Sequence, residues 1–360
     1  MANADKDFMI QPAELPDVFR RFRKSMMRAI LIGIVTLSVI GPTHWAQAQR
    51  PAPTPSSWKE FKPKKLAPID RSSVSGEGPQ PVIIIAELGC DENTYSEFAK
   101  RHAERFTTHT VVLPGSVPGS AAPPLDRGQI LDPEWLVNAA DAIREYAGQH
   151  KIEKPIVIGQ GAGGMVAYML AIRDPDFARG YAIINTLPAP SIGGPGRIPL
   201  PEQRSAQVDK LERNTILSMT QSTWANRAQS LLPLQTTDPK RVESMLPMIA
   251  AAPISAVRRY SLEPLYLDLR EDLNDTQSPI LIYATLPSWV RENDRAMLIA
   301  AFRNAGYNHP NVRVELVDGA RSWFILDEPE RFDTPMLTFF GFQPRPEPAK
   351  SDAPAEAEKK

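Results

Sequence analysis

Cysteine is almost missing from this chain of 360 residues, where Cys90 stands alone. One thiol excludes any intramolecular disulfide, and no Cys/His spacing resembles a zinc site, so neither metal nor cofactor is expected. Excess charge of either sign is missing too: 41 Lys and Arg stand against 42 Asp and Glu, a net charge of −1. That balance gives no electrostatic footprint for nucleic acid or an acidic membrane surface. The chain also lacks an apolar run of membrane-spanning length near its N-terminus. Residues 29–40 are mostly apolar, but twelve residues rise only about 18 Å as a helix, short of a ~30 Å hydrocarbon core. Internal repeats are absent as well.

What the N-terminus does have is a signal-like order. Arg20, Arg21, Arg23, Lys24 and Arg28 precede the apolar run, Gly41-Pro42 breaks it, and Ala46-Gln47-Ala48 supplies small residues two apart. This order implies a secretory signal over 1–48, cleaved after Ala48, and an exported protein, periplasmic or secreted. A retained anchor is the alternative, disfavoured by the shortness of the run. No membrane span is expected after cleavage. The stretch ahead of the run is long. Either translation starts at Met26 or Met27, or Arg20-Arg21 with Phe22 and Lys24 marks twin-arginine export.

Residues 49–77 are rich in proline, serine and lysine and read as a linker, with one short edge strand near Val74. Residues 343–360 alternate proline, alanine and charge and read as a disordered tail. A folded domain is therefore expected over 78–342. Within it, buried apolar runs at 81–86, 110–113, 155–158 and 181–184 alternate with helical patterns at 95–106, 132–149 and 162–173. Such alternation implies a parallel sheet with helices on both faces. From about 187 to 263 only helical patterns occur, at 203–219, 224–232, 239–251 and 254–262. They read as a cap inserted between sheet strands. The sheet resumes at 279–284, followed by a helix at 291–305, a strand at 312–317 and a last helix at 329–340.

The third of the buried apolar runs leads into Ile158-Gly159-Gln160-Gly161-Ala162-Gly163-Gly164. Strand, sharp turn and a helix rich in small residues make the setting of a nucleophile elbow, G-x-S-x-G. Gly159 and Gly163 keep its frame, needed because strand and helix cross too closely for side chains. The middle position is Gly161. Here the chain resembles the α/β-hydrolase family over about 81–342. The stretch IIIAELGCDENTYSEFA looks like the first strand and oxyanion loop, GQGAGGMVAYMLAIRDPDFARGYAIIN like the elbow and next strand, and DGARSWFILDEPERFDTPMLTFF like the terminal histidine loop and last helix.

Against that resemblance, the catalytic positions are replaced. The nucleophile position is Gly161, and the histidine position falls on Ser322, between Arg321 and Trp323. The acid position, at Thr285-Leu286-Pro287-Ser288 or alternatively at Asn185-Thr186, offers no carboxylate. Where a histidine-glycine pair would open the oxyanion loop stands Ala86-Glu87, or Leu88-Gly89 on a shifted register. Acyl transfer needs an attacking oxygen, a base and a group to orient the base, and none stands where the resemblance implies it. Glu87, if near the oxyanion site, opposes the negative charge that develops there. Gly161 also accepts a backbone conformation that strains a residue with a Cβ.

Substitutes are few. His102, His109, His150 and His309 read as surface histidines. Cys90 is the one alternative nucleophile, with a small buried hydrophobe as its plainer reading. Ser116 and Ser120 read as turn residues. The backbone N–H groups of Ala162 and Gly163, with Leu88, form an anion-binding corner under the cap. The leading expectation is thus a non-catalytic protein of this fold that binds a small carboxylate- or carbonyl-bearing ligand, or an envelope protein partner. The rivals are an active ester or amide hydrolase with displaced catalytic residues, and an envelope structural protein.

Overall fold

The computed structural model describes residues 62, 67–120, 133–305 and 309–343, so the signal-like segment and nearly all of the tail lie outside the described residues. Seven strands form one sheet: β1 (Ser72–Ser75), β2 (Gln80–Ile85), β3 (Phe106–Val111), β4 (Ile156–Gln160), β5 (Gly180–Ile184), β6 (Ile280–Pro287) and β7 (Val312–Gly319), in the order β1-β3-β2-β4-β5-β6-β7. All neighbouring pairs are parallel except β1 with β3. Every residue of β4, β5 and β6 is buried. That is why these strands read as continuous apolar runs: a parallel strand covered by helices on both faces has no solvent side.

The helices of the sheet are α1 (Ser96–Arg101), α2 (Glu134–Gln149) and α3 (Ala162–Arg173), and after the cap α9 (Glu292–Ala305), α10 (Phe324–Asp327) and α11 (Pro329–Phe339). The cap joins β5 to β6. Its helix α4 (Pro201–Val208) passes through a π-helical turn, Asp209–Arg213, into α5 (Asn214–Ser218), followed by α6 (Gln221–Gln235), α7 (Pro239–Ala250) and α8 (Ile254–Tyr266). Helices on both faces of a mostly parallel sheet, with an inserted helical cap, are what the alternation of patterns implied.

The cap is fastened by buried charge rather than by apolar contact alone. Glu263 on α8 accepts from the backbone N–H groups of Trp135 (3.0 Å) and Leu136 (2.9 Å) in the first turn of α2, and pairs with Arg259 at 3.0 Å. A carboxylate there satisfies orphan donors and the positive end of the α2 dipole together. On the other side Arg241 of α7 reaches Asp327 at 3.0 Å and Glu97 of α1 at 2.9 Å.

β1 is the short edge strand expected near Val74 within the linker stretch, and its pairing with β3 extends the sheet to Ser72. Some boundaries differ from the sequence pattern. The helix expected over 95–106 stops at Arg101, and β3 starts at Phe106 rather than near 110. Polar residues disguise that strand: Thr107 Oγ1 donates to Gly78 O at 2.7 Å, and His109 Nδ1 meets Tyr146 Oη at 3.2 Å. α10 has no counterpart in the expected elements. Two histidines read as superficial are buried, His102 against Asp333 at 3.0 Å and His109 against Tyr146. His150 is exposed and His309 is partly so.

Candidate functional site

The site forms where β4 stops. Gly161 carries the chain from strand to helix at φ +52°, ψ −116°, in the left-handed region that favours glycine. The crossing behind it is as tight as the glycine frame implied. A Cβ on Gly159 would lie 2.4 Å from the carbonyl oxygen of Gly163, and one on Gly163 would lie 2.5 Å from that of Ile85. Gly163 thus serves the packing of α3 against β2 and β4.

β2 runs parallel beside β4, with Ile85 opposite Gly159, so the loop leaving β2 passes over the elbow. It brings Glu87 there. Glu87 Oε1 accepts from the N–H of Leu88 at 2.8 Å and of Ala162 at 3.2 Å. These are two of the donors expected to receive a substrate oxyanion, and the chain's own carboxylate occupies them. Its other oxygen, Oε2, lies 1.8 Å from where a Cβ on Gly161 would stand. The carboxylate therefore fills both the anion corner and the room of the missing nucleophile. Burial pushes the Glu87 carboxyl up to about 7, against the opposing pull of its two backbone donors.

The histidine and acid positions meet as well, but as neutral groups. Asn185, at the end of β5 with φ +55°, donates from Nδ2 to Ser322 Oγ at 3.1 Å and accepts at Oδ1 from Thr285 N–H at 3.2 Å. The backbone donor fixes which end of the amide is oxygen. An amide and a hydroxyl exchange a hydrogen bond here, and neither can take a proton from an attacking group near neutral pH.

The substitutes fare no better. Cys90 is fully buried, and its thiol is pushed well above its ordinary value, first by burial and then by the Glu87 charge. A protonated, enclosed thiol is a poor nucleophile. Ser116 is fully buried, and Ser120 Oγ donates to Val117 O at 2.8 Å as a turn residue does. Tyr95 is enclosed beside this loop, and burial, then Cys90 and Glu87, raise its hydroxyl. Among the described residues no group of three or more His, Cys, Asp or Glu could hold a metal ion.

Sequence reasoning located Gly161, Ala162, Leu88, Ser322 and Asn185 at one place. It left Glu87 conditional and missed that this side chain is the occupant. The signal was there: a charged residue, Glu87, stands two positions after a buried strand, while the residue that follows the neighbouring strand, Gly161, has no side chain.

Comparison with known proteins agrees with this geometry at the level of family. The pattern of the alpha/beta hydrolase family matches residues 88–333. A pimeloyl-[acyl-carrier protein] methyl ester esterase from Chromobacterium violaceum is 29% identical over 113 residues, 31% of this chain and 39% of that protein. The chain thus matches about two fifths of that relative's length. Among solved structures, a hydrolase from Oleispira antarctica superposes with a TM-score of 0.58 at 13% identity, over 76% of this chain and 94% of the other. An esterase from Exiguobacterium antarcticum gives 0.59 at 15% identity, over 75% and 94%. At such identities the likeness is one of fold. With the family pattern running from the loop after β2 through the elbow, the cap and strands β3 to β7, the chain belongs to the alpha/beta hydrolase family.

Proposed function

We propose that this chain is an exported, non-catalytic member of its family that works by binding, and that the cap and elbow form its binding site. Export rests on the order of charged, apolar and small residues in 1–48. The observation that carries the rest is the seat of Glu87. A seryl route needs an oxygen on the elbow, a vacant oxyanion corner and an imidazole opposite. Here the elbow has no side chain, its two donors hold Glu87, and the imidazole position is a serine bonded to an amide. The test treats the purified mature chain with a fluorophosphonate probe and a short-chain aryl ester. Neither labelling nor turnover is expected. Stoichiometric labelling of any serine, or turnover that copurifies through several columns, overturns the reading.

The partial identity to a methyl ester esterase favours a second reading, an active ester hydrolase with displaced groups. The same assay decides it, and mapping of the labelled peptide would locate the displaced nucleophile.

A further inference from the structure

We infer that the site under the cap has reversed its polarity and takes an organic cation, a primary ammonium on a short apolar body, through the open oxygen of Glu87. The inference rests on the binding reading above and names the class of ligand. An oxyanion corner offers donors to an anion. In this chain the donors of Leu88 and Ala162 are taken by Glu87 Oε1, so an incoming carboxylate or carbonyl finds a carboxylate in its place.

The carboxylate has what an ammonium needs. No Lys, Arg or His among the described residues pairs with Glu87, whereas every ion pair that fastens the cap supplies its carboxylate with a cation. Among the described residues no donor reaches Oε2, and Glu87 keeps part of its surface accessible. The groups that influence Glu87 are Leu88 and Ala162 through their N–H groups, together with the neutral Cys90 and Tyr95 close by; none brings positive charge. A carboxylate held away from bulk water without a counterion is costly, and the ligand supplies the counterion.

The surroundings fit a cation with an apolar body. Glu87, Gly161, Ala162, Asn185 and Ser322 each keep part of their surface accessible, although the strand residues leading to them are buried. The remaining polar functions at this end of β4 include acceptors: Ser322 Oγ has a lone pair left after receiving Asn185, and the buried Gln160 Oε1 has no hydrogen-bond partner. The oxyanion loop packs on the cap, where a Cβ on Gly89 would meet Ile249 Cα at 3.0 Å and Ala252 Cβ at 3.2 Å, and the side chains of Leu88, Ile249 and Ala252 are buried there. That flank is apolar.

The test compares three probes of one length on the mature chain at pH 8: hexylamine, hexanol and sodium hexanoate, by calorimetry and thermal shift. Hexylammonium is expected to bind saturably, with hexanol about tenfold weaker or more and hexanoate not at all. Glu87→Gln should remove the preference for the amine over the alcohol. In the unaltered protein, hexylammonium affinity should fall as pH drops from 8 to 5 and Glu87 takes up a proton, a readout that does not depend on the variant folding. Equal or tighter binding of hexanoate, full amine affinity in Glu87→Gln, or no saturable amine binding overturns the inference. Fluorophosphonate labelling instead overturns the binding reading, so the two failures are distinct.

Discussion

Glu87 and Gly161 exclude each other's normal forms: Oε2 of the first lies 1.8 Å from where a Cβ of the second would be. Any side chain at position 161 must displace the carboxylate from the donors of Leu88 and Ala162. The bare elbow at Gly161 and the carboxylate seated over it are thus one structural fact.

Gly161→Ser should therefore lower the melting temperature without creating esterase activity. The left-handed turn alone strains a residue with a Cβ by ~1–3 kcal/mol, each kcal/mol shifting Tm by about 2–4 °C in a domain of this size. The clash adds to that. Adding Glu87→Gly should return part of the loss, so that the double variant is more stable than the sum of the single effects implies. Thermal melts of the four proteins measure this coupling, and additive losses would contradict it.

Stability should fall as pH rises through the neutral range. Folding holds the Glu87 and Glu263 carboxyls near 7, above the ordinary 4.5, burial being the main cause in each. Between those values the folded chain keeps protons that the unfolded chain has released, so the stabilising contribution is complete below about 4.5 and lost above about 7. Glu87→Gln should raise Tm at pH 8 relative to the unaltered chain and flatten, though not abolish, its decline between pH 5 and 8. A variant that melts lower at pH 8 with an unchanged slope would show that the Glu87 charge is welcome in the fold.

Glu263→Ala should be among the most damaging single changes in the cap. It leaves the N–H groups of Trp135 and Leu136 without their acceptor and removes the buried partner of Arg259. Breaking a buried pair from one side costs about 3–5 kcal/mol. Hydrogen exchange should show the first turn of α2 and the length of α8 opening together, while β4 and α3 keep their protection.

Building a seryl hydrolase site at this elbow needs four changes together. Gly161→Ser, Ser322→His and Asn185→Asp restore an oxygen, a base and an orienting acid at positions the fold already brings together. With Glu87 retained, its displaced carboxylate stays beside the elbow and opposes the charge that develops on the substrate oxygen, so aryl-ester turnover should remain at background. With Glu87→Gly added, turnover should rise above that of the triple variant. Equal rates in the two proteins would show that Glu87 does not obstruct the corner.

The sheet was legible because its central strands hold unbroken apolar runs with polar residues only toward their ends, as in Ile83, Ile84 and Ile85. The elbow was legible because close crossing admits only glycine at Gly159 and Gly163. β3 was harder to place, since Thr107, Thr108 and His109 interrupt its apolar run; Thr107 and His109 find partners far along the chain at Gly78 and Tyr146, while the buried Thr108 hydroxyl has none among the described residues. The burial of Glu263 and Arg204 could not be foreseen: Arg259 stands one helical turn before Glu263, but the N–H groups of Trp135 and Leu136 that Glu263 receives, and the Leu265 carbonyl that Arg204 reaches, lie far along the chain. Glu87 belongs to that class. Its chemistry was visible in the sequence, but its seat depends on two strands ending side by side.

β1 has a consequence for how the molecule keeps to itself in solution. Without it β3 would present an unpaired row of backbone groups, a template on which another chain could add. The strand that covers it has four residues, three of them serine, and is mostly exposed. The opposite border, β7, carries Arg313, Glu315 and Asp318 along its length. Both margins of the sheet are thus poor surfaces for recruiting foreign strands, one by brevity and the other by charge.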